Sequence, residues 1–138
     1  VLAAGLADGR VPETAEHLIA LADAYLLARE AAKAYPVLER RAALGNAGDA
    51  YVALAEAAVR FGDFDHAVDA WQRAVANATP DERPARQLAL GVCAIHAGRN
   101  GLARRTLTAI PMDAPERARA QAWLRHLKMR ATADTDTR

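Results

Sequence analysis

The sequence is poor in most of what builds a sheet, a disulfide scaffold or a membrane span. Aromatic residues are 5% of its 138 positions, and β-branched residues are few. Both types favour strands, so a sandwich, a barrel or a large sheet is excluded. The single cysteine, Cys93, can form neither an intramolecular disulfide nor a thiolate zinc site. No apolar run approaches the roughly 20 residues that a membrane-spanning helix needs. The opening Val1-Leu2-Ala3-Ala4 has no basic leader and no Met. The expectation is a fragment cut from a longer protein, whose compartment a missing signal peptide does not decide. What is abundant is alanine, with 36 residues, about a quarter of the chain, followed by 15 leucines. Both are strong helix formers. At 52% hydrophobic residues the chain can bury a core and is not a disordered polymer.

The net charge of +1 hides a division: residues 1–82 sum to −6 and residues 83–138 to +7. Summed charge shapes the surface field, so the two halves suit different partners.

A repeat runs through the chain. Tyr51, Leu54, Ala55 and Ala58 are spaced three and four apart, as on one helix face. The turn Gly62-Asp63-Phe64 follows, then Ala67, Val68, Trp71 and Ala74 on a second amphipathic helix. Upstream, Leu21, Ala22, Tyr25, Ala34 and Leu38 keep the same offsets at a shift of 33 residues; downstream, Leu90, Gly91, Ala94, Gly98, Ala103 and Leu107 do so at 36. The extra length falls at Thr79–Pro84, which reads as an inter-repeat turn.

These segments resemble tetratricopeptide (TPR) repeats, a helix–turn–helix unit of about 34 residues. The resemblance implies an all-α solenoid, a right-handed superhelix of antiparallel helix pairs. It divides the chain into the end of a preceding repeat (1–13), repeats at 15–47, 48–81 and 84–112, a capping helix or start of a further repeat (114–131) and a tail (132–138). The structural positions it assigns are Leu21, Ala22, Tyr25, Ala34, Leu54, Ala55, Gly62, Ala67, Trp71, Ala74, Gly91 and Ala103. Small residues are needed where helix A and helix B cross closely. Arg41 and Ile110 depart from that pattern, and Pro36 is read as lying in the first turn of a helix, where its missing N–H is tolerated.

Catalytic chemistry is not legible. His17, His66, His96 and His126 stand apart from other ligand types, and each reads as solvated or helix-packed. There is no phosphate loop, nucleophile elbow or metalloprotease motif. Asp63 and Asp65 read as helix-capping residues, Cys93 as a buried inert thiol, and Trp71 and Trp123 as packing residues. The expectation is a protein that is not an enzyme and carries no metal or cofactor.

In TPR proteins the helix A faces line a concave groove. That resemblance assigns to it Glu16, Ile19, Asp23, Leu26 and Leu27, then Asp49, Val52, Glu56, Val59 and Arg60, then Ala85, Leu88, Val92, Ile95 and His96. Where TPR adaptors use Lys, Arg and Asn to hold the acidic terminus of chaperones, the corresponding places carry Ile, Asp, Val, Glu and Leu, so that carboxylate clamp is absent. Glu16, Asp23, Asp49 and Glu56 make the first two repeats acidic beside an apolar strip. Two readings stand side by side: a groove for a cationic or basic amphipathic ligand, and ordinary solvated helix faces. Arg99, Arg104, Arg105, Arg117, Arg119, Arg125, Lys128 and Arg130 form a basic half with few aromatics, which fits a solvated face or an acidic partner better than nucleic acid. The Ala/Arg-rich repeats, such as His96-Ala97-Gly98-Arg99 with Leu107, are also similar to the periplasmic TPR segments of bacterial exopolysaccharide export proteins (Pel, poly-N-acetylglucosamine and cellulose systems). That resemblance implies a non-enzymatic scaffold in biofilm-polymer secretion, attached to an outer-membrane protein. It would recruit a polysaccharide-modifying enzyme or touch a cationic polysaccharide. The rival expectation is a cytoplasmic adaptor or regulatory module that binds a peptide helix in the groove.

Overall fold

The computed structural model describes residues 14–45 and 47–136. They form seven helices: α1 (Ala15–Leu27), α2 (Ala31–Ala43), α3 (Ala47–Arg60), α4 (Phe64–Ala76), α5 (Arg83–His96), α6 (Asn100–Thr108) and α7 (Arg117–Asp136). No strand occurs among the described residues, so the all-α expectation holds. The chain divides into two compact units, Val1–Asn77 and Ala78–Arg138. In the first, α1 packs on α2, α2 on α3 and α3 on α4; in the second, α5 packs on α6, and α7 on both.

Local chemistry sets the helix boundaries. The Thr14 hydroxyl accepts the His17 amide at the start of α1, and Asp63 Oδ1 accepts the His66 amide at 3.2 Å at the start of α4. Each such cap contributes about 1 kcal/mol. Before α5, the Thr79 amide donates to Glu82 Oε1 at 2.9 Å and the Glu82 amide donates back to Thr79 Oγ1 at 3.3 Å, the reciprocal pattern of a capping box. The Thr79 amide, and after it the Thr79 hydroxyl, holds the Glu82 carboxyl below its usual range.

The turns α1–α2, α3–α4 and α5–α6 share one hydrogen-bond pattern. Glu30 N donates to Tyr25 O, Asp63 N to Ala58 O and Arg99 N to Ala94 O, at 2.8–2.9 Å. One residue earlier, Arg29 N donates to Leu26 O, Gly62 N to Val59 O and Gly98 N to Ile95 O, at 3.0–3.1 Å. Both bonds together are a Schellman motif, which requires a left-handed residue just past the helix. Gly62 and Gly98 supply it at φ 72° and 78°. In the first turn the same place is taken by Arg29 at φ 60°. A side chain there costs roughly 1–2 kcal/mol that glycine does not incur.

Among the described residues, alanine supplies thirteen of the twenty-eight buried apolar ones, so helices approach closely at many crossings. The structural positions Ala22, Ala34, Ala55, Ala67, Ala74 and Ala103 are buried, as are Leu21, Leu54 and Trp71, whereas Tyr25 is half-buried. Gly91 on α5 has Leu107 of α6 directly against it. In the second unit Arg117 donates to the carbonyls of Thr108 (3.1 Å) and Ile110 (2.8 Å), and this ties the start of α7 to the end of α6.

Two expectations are corrected. Pro36 is not in a first turn: α2 starts at Ala31, so Pro36 lies inside it. It is tolerated there because Ala32 and Pro36 are both exposed, and water can reach the carbonyl of Ala32, which has no Pro36 N–H to bind. Arg41, which departs from the small-residue pattern as expected, lines a cleft between the helices, and its Nε is buried without a hydrogen-bond partner. The residue is half-buried and donates to Gly45 O at 2.6 Å. Lastly, α7 does not end at residue 131 but continues to Asp136, so most of the expected tail is helical. The expected repeat end at 1–13 lies outside the described residues.

Candidate functional site

Within the first unit, α1 and α3 present two adjoining clefts. The smaller, of 190 Å³, is lined by Ile19, Asp23 and Leu26 of α1, by Asp49, Ala50, Ala53, Glu56 and Arg60 of α3, and by Leu38 and Arg41 of α2. The larger, of 640 Å³, is lined by Asp23, Leu26, Leu27, Arg29, Arg60 and Phe61. Asp23, Leu26 and Arg60 belong to both. Helical periodicity explains the selection: Ile19, Asp23 and Leu26 are four and three apart, as are Asp49, Ala53, Glu56 and Arg60, so each set occupies one face of its helix.

Of the expected groove residues, Ile19, Asp23, Leu27, Asp49, Glu56 and Arg60 are therefore brought together. Glu16 and Val52 do not line either cleft. Leu88, Val92 and His96 lie on α5 in the second unit. There Leu88 is 8% exposed and belongs to the core, so its side chain is not free for a ligand. His96 is turned toward α7, its ring 6.4 Å from that of Trp123, which also meets His126 at 5.8 Å. The packing of α7 on α5 uses this face for tertiary contact.

The lining also corrects the charge of the groove. Asp23, Asp49 and Glu56 face three guanidiniums, Arg29, Arg41 and Arg60. Arg41 comes from helix α2 and Arg29 from a turn, neither of which a helix A pattern counts. The charges are unevenly placed. The smaller cleft has three carboxylates and two guanidiniums, Arg41 and Arg60, whereas the larger has two guanidiniums, one carboxylate and an apolar lip. In that lip Leu27 is 87% and Phe61 41% exposed.

A third cleft, of 400 Å³, lies between α2 and α4 and contains Tyr35, Pro36, Glu39, Phe61, Asp63 and His66 among its lining. His66 stacks on Tyr35 with ring centroids 4.8 Å apart, and its Nδ1 is 2.6 Å from Asp63 Oδ2. This matches the helix-packed reading of His66. Burial, and after it the charge of Asp63, pushes the Tyr35 phenol above its ordinary value. A phenol whose folded value is raised contributes stability that is complete below its unfolded value of 10.0 and is lost as pH rises through the folded one. Alkaline unfolding followed by circular dichroism should therefore include a component that Tyr35→Phe removes. An unchanged alkaline limb would contradict this.

Among the described residues no group of three or more His, Cys, Asp or Glu side chains could hold a metal ion. No helix there is long and apolar enough to cross a membrane. Cys93 is buried. The arrangement can bind a chain segment by apolar contact and paired charges. No family model matches the chain, and no curated protein or solved structure matches it.

Proposed function

We propose that the chain is a non-enzymatic interaction module of the TPR type, in which the α1–α3 groove holds a segment of a partner protein. The observation that carries this reading is the convergence of Ile19, Asp23, Leu27, Asp49, Glu56 and Arg60 on two adjoining clefts. Those are positions that the TPR resemblance assigns to the concave groove. The repeated Schellman turns and the glycine under Leu107 support the repeat reading. The exposed Leu27 and Phe61 supply apolar contact area, and the balanced charges favour a partner with both signs over a purely cationic glycan.

The finer reading follows the sequence resemblance: a TPR segment of a larger bacterial exopolysaccharide export protein, acting in the periplasm and recruiting a polysaccharide-modifying enzyme. A cytoplasmic adaptor that holds a peptide helix in the same groove is the alternative, and the apolar strip Ile19, Leu26 and Leu27 at helical spacing is the observation in its favour.

Charge reversal tests the groove. With Asp23→Lys and Glu56→Lys combined, a basic amphipathic peptide measured by calorimetry should bind at least tenfold more weakly. The residual binding should lose most of its salt dependence. A chitosan oligomer run in parallel distinguishes glycan from peptide. Equal peptide affinity in the parent and the reversed protein would remove the groove as the partner site.

A further inference from the structure

One residue in the groove is out of keeping with its backbone. The three Schellman turns are alike in hydrogen bonding, and two of them place glycine at the left-handed position. Arg29 occupies the register place of Gly62 and Gly98 and adopts φ 60°. Strain of this kind is retained where the side chain serves a purpose that the backbone alone would not select. The side chain of Arg29 lines the larger cleft with Arg60, Leu27 and Phe61. Neither guanidinium has an ion pair or side-chain hydrogen bond among the described residues. Two cations and one carboxylate, Asp23, thus flank an apolar lip at one end of the groove, and Asp49 and Glu56 with Arg41 stand toward the other, so one end is net positive and the other net negative. From Asp49 to Arg60 the helix rises about 16 Å, at 1.5 Å per residue.

We propose that the Arg29–Arg60 end of the groove is a carboxylate subsite. It would seat a partner segment in which an acidic residue follows a large apolar one, with basic residues about three to five positions earlier lying against Asp23, Asp49 and Glu56. The inference rests on the groove being the partner site. Its chemistry is direct: a guanidinium fork matches a carboxylate in plane and can donate two hydrogen bonds to it. Leu27 and Phe61 offer the neighbouring apolar side chain a surface that is otherwise in water. An extended chain covers 16 Å in about five residues, so one short segment can engage both ends. The polarity of the groove fixes the direction in which the segment lies.

The test uses the full chain and two acetylated, amidated peptides, Lys-Ala-Lys-Ala-Leu-Glu and the same sequence ending in Gln, titrated at low salt and followed by amide chemical shifts. The Glu peptide should bind at least tenfold tighter than the Gln peptide. Arg29→Gly and, separately, Arg60→Gln should close that gap to less than twofold. Arg105→Gln, the same loss of charge in the second unit, should leave it intact. Arg29→Gly should also raise Tm by roughly 2–8 °C, because glycine relieves the left-handed strain; the gain in stability and the loss of binding would then come from one substitution. A fall in Tm, equal binding of the two peptides by the parent, or a gap that survives both cleft variants would overturn the subsite. If both peptides bind equally and Asp23→Lys with Glu56→Lys abolishes that binding, the subsite falls and the groove stands. If neither peptide binds, the groove falls with it.

Discussion

Gly91→Ala is expected to destabilise the second unit by about 1–3 kcal/mol, although the same change in an open helix stabilises. A methyl carbon at Gly91 would come within 2.6 Å of Leu107 Cγ, closer still to Cδ2, and within 3.3 Å of Cδ1. Leu107 is fully buried, so it has no free space into which to swing. The clash must be met by moving α6 away from α5. The cause can be isolated by a second change. Leu107→Ala alone should cost about 2–5 kcal/mol, for lost burial and the cavity left behind. It also deletes all three atoms that oppose the new methyl. In that background Gly91→Ala should therefore reverse sign and stabilise by about 0.5–1 kcal/mol, the ordinary gain from replacing a helical glycine. Urea denaturation of the four proteins gives the coupling directly. A Gly91→Ala cost that is absent, or the same with and without Leu107, would show that close approach is not what the glycine permits.

Trp71→Ala should remove the largest buried side chain of the first unit at a cost that two opposing effects set. The side chain is 8% exposed on the buried face of α4, with Ala67 and Ala74 on the same face. Large aromatic truncations cost about 3–5 kcal/mol. An opposing term lowers the figure: Trp71 Nε1 is buried without a hydrogen-bond partner, and removing an orphaned donor recovers about 1–3 kcal/mol. The net expectation is about 3 kcal/mol or less, or up to roughly 12–24 °C in Tm for a domain of this size. Trp71→Phe separates the terms, since it keeps most of the ring and removes the N–H. It should cost far less than alanine in a thermal scan. If the phenylalanine and alanine variants unfold alike, the indole is not a packing element.

Much of this architecture was legible in the chain because it depends on local chemistry. Helix propensity, the three-and-four spacing of apolar residues, and Asp63 at a helix start act within a few residues, so they can be read in order. The turn glycines are legible for the same reason, since a left-handed residue is a property of one backbone position. Arg29 was visible too, as the residue in register with Gly62 and Gly98; what was missing was the knowledge that those glycines are required by φ. Pro36 was misjudged by half a turn, because only the observed start at Ala31 shows how far into α2 it falls.

The sequence by itself determined the helical class and the small residues that the fold buries, because those follow from helix propensity, periodicity and side-chain volume. The TPR resemblance assigned residues of α1 and α3 to one groove, and six of them line the two adjoining clefts. Only tertiary structure decided the charge of that groove. Arg41 and Arg29 reach it from a different helix and from a turn, at positions that no single-helix pattern connects with Asp23 or Glu56. It also decided that Leu88 is core and that His96 packs on Trp123, because whether a helix face stays open depends on what the rest of the chain lays against it.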